Sequence, residues 1–148
     1  MDAAPEIAGN VEADGEGVAV IGAGIMGHGI AQLFATAGWD VSLTDADPEV
    51  LARAPGRIAA NLETLVEAGF TEEAQATATL ARIRPVAGVG KAVGGSAYVV
   101  EAVSEDLAVK RRVLAEVERH CPPGAILTST TSGYCVRDLS PGLERPER

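Results

Sequence analysis

The segment Val18-Ala19-Val20-Ile21-Gly22-Ala23-Gly24-Ile25-Met26-Gly27-His28-Gly29-Ile30-Ala31 constrains this chain more than any other. It runs without a break from a short apolar strand through a G-x-G-x-x-G turn into the start of a helix, the order a dinucleotide site requires. Gly22 can take the dihedrals of a tight strand-to-helix turn, Gly24 has no side chain to keep a pyrophosphate from the backbone, and Gly27 lets the helix pack closely on the strand. The N–H groups around Gly24, Ile25 and Met26 are then the unpaired donors of a helix N-terminus, where the helix dipole favours an anion. Gly22, Ala23, Gly24, Ile25, Met26 and Gly27 are therefore the candidate phosphate cradle.

Glycines also gather in turns that bind nothing, so the second half of the pattern matters. A second strand, Asp40-Val41-Ser42-Leu43-Thr44, ends at Asp45, about 20 residues past the glycines, where an acidic group accepts hydrogen bonds from an adenosine ribose. A carboxylate there repels a 2′-phosphate and no Arg follows directly to receive one, which predicts NAD in preference to NADP. The competing reading makes the glycines an ordinary turn and Asp45 the first residue of a loop.

The 148 residues suffice for one domain that buries about two thirds of its unfolded surface. The chain is 47% hydrophobic but only 3% aromatic, so its core must be aliphatic, as between helices and a buried parallel sheet. A formal net charge of −9 argues against nucleic acid or an anionic membrane as partner. No charge-free apolar run approaches a membrane span, and no basic segment precedes an apolar one at the N-terminus, so a cytoplasmic protein is expected. Cys121 and Cys135 have no metal-ligand spacing and are read as reduced thiols; no metal site is expected. His28 and His120 adjoin no nucleophile. Gly88-Val89-Gly90-Lys91 is not a Walker loop, because Ala92 replaces the required Ser or Thr and Pro85 the leading glycine.

Residues 1–17 read as a disordered acidic tail and 18–148 as the folded domain. A helix over 25–37 should bury Ile30, Leu33, Phe34 and Ala37 and stop at Gly38. Asp47-Pro48 should open a second helix through Val50, Leu51, Ile58, Leu62 and Leu65 to Gly69, kinked or split at Pro55-Gly56. A short helix over 71–80, a small strand over 83–86 and a glycine-rich loop over 88–95 precede a central strand over 97–103. Ser104 should cap a helix over 105–120, and 125–129 is the last strand. Strands alternating with helices predict a doubly wound α/β sheet whose ligand lies beyond the carboxyl ends of the strands. Asp45, Ser104-Glu105-Asp106 and Thr130-Thr131-Ser132 all fall there.

Three separated motifs make the chain, from about Val18 onward, resemble the N-terminal NAD-binding domain of the L-3-hydroxyacyl-CoA dehydrogenases, including bacterial 3-hydroxybutyryl-CoA dehydrogenases. They are residues 22–31, the strand and turn Val99-Val100-Glu101-Ala102-Val103-Ser104-Glu105-Asp106-Leu107, and Cys121-Pro122-Pro123-Gly124-Ala125-Ile126-Leu127 leading into Ser129-Thr130-Thr131-Ser132. The resemblance implies a Rossmann-type, mostly parallel sheet with NAD as cofactor and an acyl-CoA or related thioester as substrate. It implies that Glu105 and Lys110 approach the nicotinamide half of the cofactor and that Ser132 hydrogen-bonds the substrate's 3-oxygen. Without it, Glu105 is a carboxylate at a helix start, Lys110 a solvated charge and Ser132 an ordinary loop serine. Glu101, inside an apolar strand, needs a partner that the sequence does not name.

The resemblance has departures. Thr130-Thr131-Ser132-Gly133 stands where the family has Asn-Thr-Ser-Ser, and the segment before Ala97 replaces a short helix. The chain stops where the family continues into the strand bearing the catalytic histidine and the helical C-terminal domain, through which the full-length form is a homodimer. The expectation is a fragment inactive by itself. Two other readings stay open: a dehydrogenase of a free hydroxy acid or carrier-protein thioester, and a non-catalytic NAD(H)-binding module.

Overall fold

The computed structural model of the chain describes residues 17–148. The expected acidic tail lies outside them except for Gly17, which opens the first strand. Five strands, β1 (Gly17–Ile21), β2 (Val41–Thr44), β3 (Ile83–Pro85), β4 (Ser96–Glu101) and β5 (Ile126–Ser129), form one sheet in the order β3-β2-β1-β4-β5. Every pairing is parallel. Among the described residues six helices accompany them: α1 (Ile25–Thr36), α2 (Pro48–Glu67), α3 (Glu73–Ala81), α4 (Val89–Val93), α5 (Leu107–His120) and, after the last strand, α6 (Val136–Leu139). The doubly wound α/β class expected from the alternation is the class observed.

Residues on a strand point alternately to its two faces, and β1 uses both. Val18 and Val20 pack with α1 and α2 residues in one core, while Ala19 and Ile21 join Val93, Val99 and Val117 in the other. The same alternation places Val100 in the first core and Val99 in the second. Glu101 thus faces the α5 side.

The helices differ from expectation in four places. α1 buries Gly27, His28, Ala31 and Ala35, whereas Leu33 is exposed and Ile30 and Phe34 are only partly covered. The helix lies so close to the sheet that small residues must face it. α2 is one continuous helix through Pro55, capped by the Asp47 carboxylate on the Glu49 and Val50 amides. Pro55 removes one backbone bond, but Leu51, Ala54, Ile58 and Leu62 on either side are all buried against the core and keep the segment together. Residues 88–95 are not a plain loop: Gly88, at φ +93°, starts α4, which buries Ala92 and Val93. The short helix thought to be replaced is present. Finally, α5 starts at Leu107, and Asp106, not Ser104, caps it by accepting from the Val109 amide.

Candidate functional site

The glycine turn owes its shape to what the three positions exclude. Gly22 sits at φ +104°, and a Cβ there would lie 2.4 Å from the Ala102 carbonyl oxygen. At Gly27 a Cβ would lie 1.6 Å from the Gly22 carbonyl oxygen, so only a bare backbone lets α1 start this close to β1. At Gly24 a Cβ would meet nothing within 4 Å. That residue opens on free space. It is also the N-cap of α1, which has no side-chain cap and no acid in its first turn, so the positive end of the helix faces the same space.

Asp45 closes the turn from β2. Its carboxylate accepts from the Ala23 amide at 2.7 Å and from the Asp47 amide at 2.8 Å. Ala23 is buried and Ile25 and Met26 are exposed. Gly22, Gly24 and Asp45 border a cleft of about 590 Å³ beyond the ends of β1, β2 and β4, with Val89, Val103 and Ser104 on the opposite wall. The Thr44 hydroxyl, buried at this cleft, has no hydrogen-bond partner among the described residues. An anion cradle that a Cβ would fill, a carboxylate at its edge and an unpaired hydroxyl fit a dinucleotide.

The other half of the site is made by side chains. Glu101 ends β4 with no exposed side-chain surface, and Lys110, one turn into α5, has none either. The Lys110 Nζ lies 3.0 and 3.2 Å from the two Glu101 carboxylate oxygens and 3.1 Å from Glu105 Oε2. Glu101 also accepts from the Val103 amide at 2.7 Å and from the Ser129 hydroxyl. Ser129 in turn accepts from the Thr131 amide at 3.2 Å. Glu105, with a half-exposed side chain, accepts from the Thr131 hydroxyl and from the Gly133 amide at 3.2 Å.

The ionisation of this cluster follows from its contacts. The Thr131 hydroxyl, with Lys110 and the Gly133 amide, holds the Glu105 carboxyl below the ordinary glutamate value against partial desolvation. Burial pulls the Lys110 ammonium down, but hydrogen bonds and charge from Glu101 and then Glu105 outweigh it and leave Lys110 above the ordinary lysine value. The cation is held charged.

Several placements differ from expectation. Lys110 is not a solvated charge and has no surface in the cleft; it stands beneath Glu105. Ser132 is exposed in the loop between the two residues bound to Glu105 and borders neither the cleft nor a second cavity of about 340 Å³ between β5, α5, α6 and the carboxy-terminal residues. That second cavity touches no residue of the glycine turn. Ser129 and Thr131 carry the loop; sequence reasoning put Thr131 among the polar residues beyond the strand ends and Ser129 in a motif, but gave neither an individual role. Neither histidine is at this loop: His28 Nδ1 lies 2.6 Å from the Gly24 carbonyl in α1, and His120 Nδ1 lies 2.8 Å from the Glu116 carbonyl at the end of α5. Cys121 is buried and Cys135 exposed. No helix among the described residues is long and apolar enough to cross a membrane.

Comparison with known proteins gives this geometry its relatives. The family described as "3-hydroxyacyl-CoA dehydrogenase, NAD binding domain" matches residues 17–148. The chain is 38% identical over 131 residues to the 3-hydroxyadipyl-CoA dehydrogenase of Escherichia coli K12, covering 88% of this chain and 27% of that protein. It is 37% identical to the L-carnitine dehydrogenase/betainyl-CoA thioesterase of Ruegeria pomeroyi, covering 86% and 26% respectively. The crystal structure of 3-hydroxybutyryl-CoA dehydrogenase from Escherichia coli K12 superposes with a TM-score of 0.84 at 36% identity, over 89% of this chain and 28% of that one. The chain thus spans about a quarter of the length of these proteins.

Proposed function

This chain belongs to the 3-hydroxyacyl-CoA dehydrogenase NAD-binding family, and on that footing we propose that it forms the cofactor half of an enzyme that interconverts L-3-hydroxyacyl and 3-ketoacyl thioesters. The observation that carries the reading is the open Gly24 cradle with Asp45 at its edge. Gly24, Ile25 and Met26 amides would hold the pyrophosphate, and the Asp45 carboxylate the adenosine ribose. Glu105 stands at the nicotinamide end. When bound, NAD supplies the acceptor for the hydride that leaves the substrate's third carbon.

Ser132, exposed between the two residues bound to Glu105, would hydrogen-bond the substrate's 3-oxygen and so fix the face presented to the ring. The base that takes the hydroxyl proton is assigned to the part of the relatives that this chain does not span, since both histidines here are engaged elsewhere. We assign the whole enzyme to the cytoplasm, as a homodimer joined through that same part. The acyl-CoA thioester is the substrate proposed. The match to an L-carnitine dehydrogenase favours a second reading, in which the hydroxy acid is free; the cofactor half is the same in both.

Calorimetric titration with NAD and NADP tests the cofactor assignment. The chain should bind NAD the more tightly. Asp45→Ala should lose about tenfold for NAD, as expected for one hydrogen bond to a charged group, and narrow the gap to NADP. Equal affinities in the unmodified chain, or no change in the variant, would overturn it.

A further inference from the structure

We propose that Glu101, which never reaches the cleft, is a positioning residue that sets the conformation of loop 130–133, and with it the place of Ser132, through Ser129 below the loop and Lys110–Glu105 above it.

The proposal rests on the role given to Ser132 above, but its structural content stands on the contacts alone. Glu101 Oε2 accepts from the Ser129 hydroxyl, and that hydroxyl, its proton so committed, accepts from the Thr131 amide. Glu101 Oε1 accepts from Lys110 Nζ and from the Val103 amide. Lys110 extends the same ammonium to Glu105, whose carboxylate receives the Thr131 hydroxyl and the Gly133 amide. The Glu101 carbonyl also accepts from the Thr130 amide at 2.9 Å. Loop 130–133 is therefore gripped on both sides of Ser132 by groups that trace back to one buried carboxylate.

The chemistry of the grip requires a carboxylate. Glu101 receives four contacts from three donor groups, the Lys110 ammonium twice, the Val103 amide and the Ser129 hydroxyl, and only an acceptor-only group with two oxygens satisfies them. An amide in its place presents N–H to the Ser129 oxygen or to the ammonium. The hydroxyl must then turn to accept from it, which redirects the lone pair that receives the Thr131 amide. Half of a buried polar network is worse than none. Ser132 itself makes no hydrogen bond in the network, so its position is inherited from Thr131 and Gly133.

The test is heteronuclear NMR of the 148-residue chain, reading the amide shifts of Thr131, Ser132 and Gly133 and the hydrogen exchange of the Thr131 amide. Glu101→Gln should move all three signals and speed Thr131 exchange by about three- to tenfold, the loss of one net hydrogen bond, although residue 101's side chain touches none of them. Ser129→Ala should do the same while leaving the Lys110–Glu105 pair in place, and Ser129→Thr should restore the slow exchange. Should Glu101→Gln fail to fold by circular dichroism, Glu101→Asp, which keeps the carboxylate but draws it back from Ser129, decides by the same loop signals. Unmoved loop signals in a folded variant would overturn the proposal. NAD titration of the same samples separates the two readings: an unmoved loop with normal NAD binding removes only this inference, and a displaced loop in a chain that never binds NAD removes only the function above.

Discussion

At the ends of β1 and β2 the proposed phosphate cradle is made by main chain and by missing side chains, within a short stretch of sequence plus one aspartate. At the ends of β4 and β5 the site is made by side chains from a strand, a helix and a loop, joined by two buried charges of opposite sign. On the proposed reading the first region would bind through what glycine leaves open, with amides that need no further support. The second holds its shape only while each charge keeps its partner, because the desolvation of Glu101 and Lys110 is offset by their mutual contact, by Glu105 on the ammonium and by the Val103 amide and Ser129 hydroxyl on the carboxylate. Shape rules one half and pairing the other, so substitutions should fail in different ways.

The largest effect should fall on the paired half. Lys110→Met keeps the length of the side chain and removes the cation, which strands the Glu101 carboxylate in a fully buried place. Breaking such a pair costs about 3–5 kcal/mol, readable as a drop in the urea midpoint at neutral pH. A variant as stable as the parent would show that the two halves do not differ in kind.

Within the glycine turn, two substitutions separate fit from binding. Gly27→Ala drives a methyl group onto the Gly22 carbonyl and should destabilise by about 2–3 kcal/mol, the range of an overpacked core site. Gly24→Val points into open space and should cost less than about 1 kcal/mol, the difference between helix-cap residues. Its effect appears instead in calorimetry, as a loss of NAD affinity of about 100-fold or more, or roughly 2.7 kcal/mol. If Gly24→Val binds NAD normally, the cradle is mere punctuation between strand and helix. If Gly27→Ala is harmless, the close approach of α1 is not what shapes the turn.

The same contrast decides what the sequence made legible. Strand, turn and helix around Gly22–Gly24–Gly27 follow from local rules, and the alternation of elements gives a parallel doubly wound sheet. Leu33 and Ala37, expected on the buried face of α1, are exposed, because the close approach at Gly27 turns the small residues Ala31 and Ala35 to the sheet and leaves Ile30 and Phe34 at its edge. Pro55 was given too much weight, since tertiary packing of Leu51, Ala54, Ile58 and Leu62 overrides a single lost backbone bond. The α4 helix was hidden by its own glycines.

The pair Glu101–Lys110 was within reach. Period two along β4 puts Glu101 on the face of Val99, and Lys110 lies on the stripe of Leu114 and Val117, four and seven residues further along α5. An ionisable residue on each of two facing apolar stripes implies a buried pair. The roles of Ser129 and Thr131 were not within reach, because they depend on a loop geometry that joins residues more than twenty positions apart.

The smallest effect concerns Glu105, on the exposed rim of the paired half. Its carboxyl is held below the ordinary glutamate value first by the Thr131 hydroxyl, then by Lys110 and the Gly133 amide. A depressed value in the folded state means that the ionised group favours folding at pH above the unfolded glutamate value, and that this contribution fades as pH falls through the folded one. The pH dependence therefore lies on the acid side, below about pH 4.3: whatever stability the hydroxyl contributes through Glu105 is present at neutral pH and is gone below that window. Thr131→Val should raise the Glu105 titration toward the ordinary value, as followed by carboxyl carbon NMR, with Lys110 still holding part of the shift. An unmoved titration would mean that Lys110 alone governs Glu105 and that loop 130–133 is not tied to the carboxylate. The second region would then be an ion pair with a free loop above it, and only the glycine half would be organised for its ligand in advance.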